Sequence, residues 1–164
     1  MNTPLGDAAS QALSARLATF VEQHLPLARA MHIDVAHYDG NSLVLSAPLS
    51  HNNNDKLTAF GGSLYCLTVM SCWGCVYLRC LHEGIALPAP DIVVSGANIK
   101  YSAPVTSSVI EARCSSAHVD WPAFAERFAE RGVAKVTLEA EVRNDDQLAV
   151  AFSGDYALIG TRLD

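Results

Sequence analysis

Phe60 to Leu78 is a run of 19 residues without a charge. A helix that is apolar on every side must be covered on every side, so this run decides what the rest of the chain has to be. It approaches the ~20 residues that cross a bilayer. Gly61, Gly62, Ser63, Thr68, Ser71 and Gly74 lower its hydropathy, however. It also ends in Arg79, His82 and Glu83, with no positive cluster on one flank. The expectation is a buried central helix over about 60–82, some ~34 Å long, and no membrane span.

The remaining sequence supplies the cover. Leu13, Leu17, Phe20, Val21 and Leu25 recur at helical spacing, predicting an N-terminal helix over about 8–24 that Pro26 ends. Met31 to Tyr38 and Ser42 to Ala47 are strand candidates joined by Asp39-Gly40, a hairpin signal because glycine accepts positive φ. Pro48 closes the second strand, and a polar loop over Ser50 to Thr58 leads into the central helix. Beyond Leu87-Pro88-Ala89-Pro90 come strand candidates at Ile92 to Tyr101 and Val109 to Ser115. Trp121 to Glu130 suits a short helix, with Asp120 as N-cap and Pro122 in its first turn. Val136, Leu138, Ala140 and Val142 then alternate with Thr137, Glu139, Glu141 and Arg143, a half-buried strand. Asn144-Asp145-Asp146 turns it into a last strand, Leu148 to Ile159. No repeat or linker interrupts the order, so 164 residues predict one domain, 1–164. The class is α+β: an antiparallel sheet wrapped around a long helix, which is the hotdog fold. A second copy would cover the helix's remaining side, so a homodimer or higher homo-oligomer is expected.

Half of the residues are apolar and 17% are charged, which excludes a disordered chain. The net charge of −6 excludes general nucleic-acid binding, since nothing would displace counterions from phosphates. Cysteines stand at 66, 72, 75, 80 and 114, an odd count with four in one apolar run, unlike a secreted disulfide framework. Met1 to Gln11 has no basic-then-apolar leader pattern. A reducing, cytoplasmic location is expected.

The chemistry-bearing stretch is Asn52-Asn53-Asn54-Asp55-Lys56-Leu57-Thr58-Ala59-Phe60-Gly61-Gly62-Ser63. Adjacent glycines inside a helix cost ~1 kcal/mol each against alanine, and less at its start. There the first N–H groups lack intrahelical partners and carry the positive end of the dipole. Gly61-Gly62 can therefore cradle a thioester oxygen that becomes negative during reaction; the plainer alternative is a tight loop-to-helix junction. The Asn54 carboxamide could donate to the same oxygen, although asparagine is also an ordinary turn residue. Thr58 suits the N-cap or the position just before it.

Other candidates are weaker. Cys72-x-x-Cys75 has redox spacing but lies inside the apolar helix, which favours buried structural thiols. His24, His32, His37, His51, His82 and His118 show no paired ligand spacing, so neither metal nor cofactor is expected. Trp73 and Tyr77 read as core residues.

Ser46-Ala47-Pro48-Leu49, Asn52-x-Asn54, Thr58-x-Phe60-Gly61-Gly62-Ser63-Leu64-Tyr65, Trp73-Gly74 and Tyr101-x-x-Pro104-Val105 together resemble one hotdog family. That family was long labelled thioesterase and includes the malonyl-acyl-carrier-protein decarboxylases of proteobacteria. Some members carry the domain behind an acetyltransferase-like domain; the sequence here has only the hotdog part. The resemblance runs from about Leu25 to Ile159. It implies Asn54 as the catalytic residue, and Gly62 N–H is inferred as a second donor. Asn52, Thr58, Phe60, Gly61 and Ser63 complete the expected substrate-binding set.

Two positions depart from the broader hotdog thioesterases. Those enzymes often have histidine where Phe60 stands, and an acid where this chain has Val69 and Met70. Hydrolysis wants a base or nucleophile to activate water. Decarboxylation of a malonyl thioester wants mainly preorganised donors for an enolate oxygen. The resemblance thus implies decarboxylation of malonyl-acyl carrier protein, or of malonyl-coenzyme A, to the acetyl thioester, feeding initiation of fatty-acid synthesis. Acyl-thioester hydrolysis is the alternative, and non-catalytic thioester binding a third. Arg127, Arg131 and Lys135 form the nearest approach to a basic cluster that could meet an acidic carrier, alongside Glu126 and Glu130.

Overall fold

The computed structural model describes residues 5–160. Residues 1–4, where the Met1 to Gln11 reading begins, and 161–164, the end of the expected domain span, lie outside them. Helix α1 (Asp7–His24) buries Leu17 and Val21, and Pro26 opens a further short helix, α2 (Pro26–Ala30), at its first turn. Strands β1 (Asp34–Tyr38) and β2 (Ser42–Pro48) form the expected hairpin. Gly40 takes φ +95° there, and Asp39 Oδ1 accepts the Asn41 and Ser42 N–H groups at 2.8 and 2.7 Å. The first strand starts later than Met31, because Met31 closes α2 and His32 takes φ +56°.

The central helix α3 runs Gly61–Glu83 and ends at Gly84 in the left-handed region. Then follow β3 (Asp91–Tyr101), β4 (Val109–Ser115), α4 (Trp121–Arg131), β5 (Val133–Asn144) and β6 (Gln147–Ile159). Helix α4 has the predicted cap: Asp120 Oδ1 accepts Ala123 N–H at 3.0 Å. All neighbouring strands are antiparallel, in the order β1-β2-β4-β5-β6-β3. The inner face presents Ile110, Ala112 and Cys114 from β4, Leu138, Ala140 and Val142 from β5, and Phe152, Tyr156 and Leu158 from β6, all buried. Helix α3 lies against this face and against α1.

By length and composition α3 could cross a membrane, yet 72% of its apolar window is buried inside the fold. Even Arg79 is inside. It pairs with Glu83 one turn on at 2.9 Å, donates to the Gly40 carbonyl at 3.2 Å, and lies 5.6 Å from the Trp121 ring centre. A planar guanidinium can be buried when both terminal nitrogens and its face are used in this way. In the sequence Arg79 marks only the end of the uncharged run.

One stripe of α3 stays partly open. Gly62, Tyr65, Cys66, Val69, Met70 and Trp73 recur every three or four residues, and none is buried. Beside it, β3 is a sheet edge with Val93 and Val94 exposed.

Candidate active site

Residues 52–60 leave the sheet and return as a narrow loop. The Asn52 carbonyl accepts Phe60 N–H at 2.7 Å, Asn53 bridges Ala59, and Asn54 N–H donates to the Thr58 carbonyl at 2.8 Å. At the tip Leu57 takes φ +60°, a conformation that a branched residue holds only when its surroundings impose it. The Asn54 side chain imposes it here. Its Oδ1 accepts the Lys56 and Thr58 N–H groups at 2.9 and 3.2 Å, and its Nδ2 donates to Thr58 Oγ1 at 2.9 Å. Two backbone donors on one atom identify that atom as the oxygen. Nδ2 therefore has one N–H engaged and one without a partner among the described residues. Asn54 is half-buried, so that N–H is shielded but reachable.

Asn52 has a different place. It is buried, and Nδ2 donates to both the Met31 and the Pro48 carbonyls, at 2.9 and 2.8 Å. Both hydrogens are committed, so Asn52 braces the loop from inside, tying it to the end of α2. Its Oδ1 is buried without a hydrogen-bond partner among the described residues.

The helix starts at Gly61, with Phe60 rather than Thr58 as its N-cap (φ −66°, ψ 133°) and no side-chain cap. Thr58 stands two residues earlier, and its hydroxyl is engaged by Asn54 rather than by the helix. An uncapped start leaves the first N–H groups available to a ligand. The Phe60 ring, 55% exposed, lies over Gly62, where a Cβ would come 2.5 Å from its Cε1. Ser63, at the third helical position, is half-buried. The structure thus gathers Phe60, Gly61, Gly62 and Ser63 in the first turn and Asn54 with Thr58 in the loop before it. Among the described residues no hydrogen bond joins Asn54 to either glycine.

Two tyrosines without a role in the sequence reading contact α3 from the sheet. Tyr101, at the end of β3, donates to the Gly61 carbonyl at 2.8 Å, and its ring packs on Gly61. Burial, with the Tyr65 phenol beside it, raises the Tyr101 phenol above its ordinary value. Tyr156 donates to the Val69 carbonyl at 2.9 Å. The alternation along β6, which puts Tyr156 on the same face as Phe152 and Leu158, was the available signal for the second.

From Gly61 to Leu81 the helix has no aspartate, glutamate or histidine. Cys72 and Cys75 are buried and meet Cys114 of β4, whose thiol is pushed up by hydrogen bonding to both and by burial. Such thiols are poor nucleophiles. Trp73 and Tyr77 stack at 5.0 Å between ring centres, Phe20 joins them, and Trp73 Nε1 donates to the Ile92 carbonyl at 3.0 Å. A groove of about 560 Å³ on the outer sheet face, with Lys100, Arg113, Glu139 and Glu141 in its wall, shares no residue with this loop. Arg127, Arg131 and Lys135 are exposed, as are Glu126 and Glu130 beside them.

The family model "Putative thioesterase (yiiD_Cterm)" matches residues 14–160. A protein of unknown function from Chlorobaculum tepidum is 38% identical over 95% of this chain and 100% of its own, with a TM-score of 0.87. A structure from Shewanella oneidensis named a putative thioesterase is 31% identical over 91% of this chain and 99% of its own, with a TM-score of 0.80. A thioesterase from Haemophilus influenzae shares the fold, with a TM-score of 0.69 at 14% identity over 91% of this chain and 92% of its own.

Proposed function

The chain belongs to the YiiD C-terminal family of thioesterase-like hotdog proteins, and from that premise we propose that it decarboxylates a malonyl thioester to the acetyl thioester. The observation that carries this reading is a donor set without a base. Asn54 keeps an uncommitted N–H, the Gly62 N–H lies in an uncapped first turn, and α3 from Gly61 to Leu81 has no carboxylate or imidazole. In the reaction the bond between the carboxylate carbon and the methylene breaks, CO₂ leaves, and the electron pair passes into a thioester enolate. A proton from water then adds to carbon. Neutral donors suit the enolate oxygen, one such donor supplying ~3–4 kcal/mol. The half-buried apolar residues Val69 and Met70 suit a carboxylate that must lose hydration as its charge moves.

The name of the Shewanella relative favours a second reading, hydrolysis of an acyl thioester. Hydrolysis on these residues would leave water activation to neutral groups alone. Carrier protein and coenzyme A are the two thioester carriers proposed. The net charge of −6 repels both at long range, because an acidic carrier and the phosphates of coenzyme A are each anionic, so both thioesters are substrates to try.

Product analysis with malonyl-coenzyme A and malonyl-acyl carrier protein tests the proposal. Acetyl thioester with CO₂ is the expected result. Free thiol with malonate would establish hydrolysis instead, and saturable binding without turnover would reduce the protein to a thioester-binding module.

A further inference from the structure

The Gly61 carbonyl that receives the Tyr101 hydroxyl at 2.8 Å belongs to the same peptide unit as the Gly62 N–H. A trans peptide is planar, with C=O and N–H pointing in opposite directions, so fixing one fixes the other. This unit is flanked by two residues without Cβ, which makes it the least restrained in the first turn. As the first residue of α3, Gly61 also offers its carbonyl to the N–H one helical turn on, so the Tyr101 hydroxyl is a second donor on the same oxygen and comes from outside the helix. Ala59 N–H donates to the Val105 carbonyl at 2.8 Å and Phe60 N–H to the Asn52 carbonyl at 2.7 Å. Ser102 N–H donates to the Ala149 carbonyl at 2.8 Å, anchoring the segment 101–105 to β6. One short segment therefore grips the chain on both sides of Phe60, through Val105 before it and Tyr101 after it.

The hydroxyl also acts electronically. A donor on a peptide oxygen draws charge toward that oxygen and strengthens the N–H at the other end, as in any hydrogen-bonded chain. We infer that Tyr101 is a positioning residue: its hydroxyl aims and polarises the Gly61–Gly62 peptide, so that the Gly62 N–H is presented as a strong, fixed donor to the enolate oxygen. The catalytic consequence rests on the decarboxylase reading; the aiming of the peptide does not.

Tyr101→Phe tests this in the full chain, because it keeps the ring on Gly61 and removes the hydroxyl alone. With malonyl-coenzyme A, kcat should fall by ~3–30-fold, less than the ~10²–10³ expected when a donor is removed outright. KM and Tm should hold, and the ¹H–¹⁵N resonance of Gly62 should shift. An unmoved Gly62 resonance overturns the inference. So does an unchanged kcat, or a loss of Tm with kcat and KM drifting together. If the wild-type protein turns over no thioester, the decarboxylase reading falls by itself. The Gly62 resonance in Tyr101→Phe then still decides whether Tyr101 aims that peptide.

Discussion

Asn54 and Thr58 hold each other three ways: Asn54 N–H to the Thr58 carbonyl at 2.8 Å, Thr58 N–H to Asn54 Oδ1 at 3.2 Å, and Asn54 Nδ2 to Thr58 Oγ1 at 2.9 Å. The candidate donor is thus also the brace of its own loop. Truncating it mixes two effects, since Asn54→Ala frees Leu57 from its positive φ as well as deleting the donor.

Asn54→Asp separates them. Its Oδ1 still accepts the Lys56 and Thr58 N–H groups, and the Thr58 hydroxyl can turn to donate to the second oxygen. The loop should therefore hold, with Tm close to wild type. The donor is gone and a negative charge replaces it, so kcat with malonyl thioester should fall by ~10²–10³ or more with little change in KM. A folded Asp variant as active as wild type would remove Asn54 from the reaction.

Gly74 is where α3 touches α1 and β2. A Cβ there would come 2.7 Å from Leu43 Cδ2 and 3.2 Å from Leu17 Cδ2, both on fully buried side chains. Alanine gains ~1 kcal/mol of helix propensity but overpacks the core at ~1–3 kcal/mol. The core term should win, lowering stability by up to ~2 kcal/mol in urea unfolding. A Gly74→Ala protein more stable than wild type would show that Leu43 and Leu17 yield freely.

The open stripe of α3 and the β3 edge predict self-association. Val93 and Val94 are 40% and 45% exposed on an edge strand, and Tyr65, Val69 and Met70 are only partly covered by the chain's own fold. Unpaired edges with apolar side chains seek a partner. Sedimentation at micromolar concentration should show a homodimer or larger species, whereas a stable monomer would contradict this.

Buried thiols and phenols predict a loss of stability at alkaline pH. Burial pushes the Cys80 thiol up to about 12 and raises the Tyr38 and Tyr156 phenols. Hydrogen bonding to Cys72 and Cys75, with burial, raises Cys114. The unfolded chain ionises at the ordinary values, ~9 for thiols and ~10 for phenols, while the folded chain retains its protons. Their contribution is fully present below about pH 9 and is lost progressively above it. Unfolding free energy should fall steadily from there upward, and an unchanged value at pH 11 would refute it. Replacing Cys72 and Cys75 with alanine should cost roughly 1 kcal/mol each, the scale of a buried methyl, without abolishing turnover.

Much of the architecture was already legible in the chain because it is encoded locally. The apolar run gave α3 to within a residue at each end, and alternation over Val136 to Val142 gave the inner face of β5. Asp39-Gly40 and Asp120 marked a hairpin and a helix start through bonds to residues two or three away. Three asparagines in a row offer no such guide. Only the fold decides that Asn52 spends both hydrogens on carbonyls, one of them 21 residues away, while Asn54 keeps one free. Only the fold places Arg79 under the Gly40 turn, or brings the Tyr101 hydroxyl to Gly61 across 40 residues. Periodicity and turn chemistry act over a few residues and so survive in a sequence read alone. Which hydrogen bonds a polar group makes depends on what the folded chain lays beside it, and that is settled by tertiary structure.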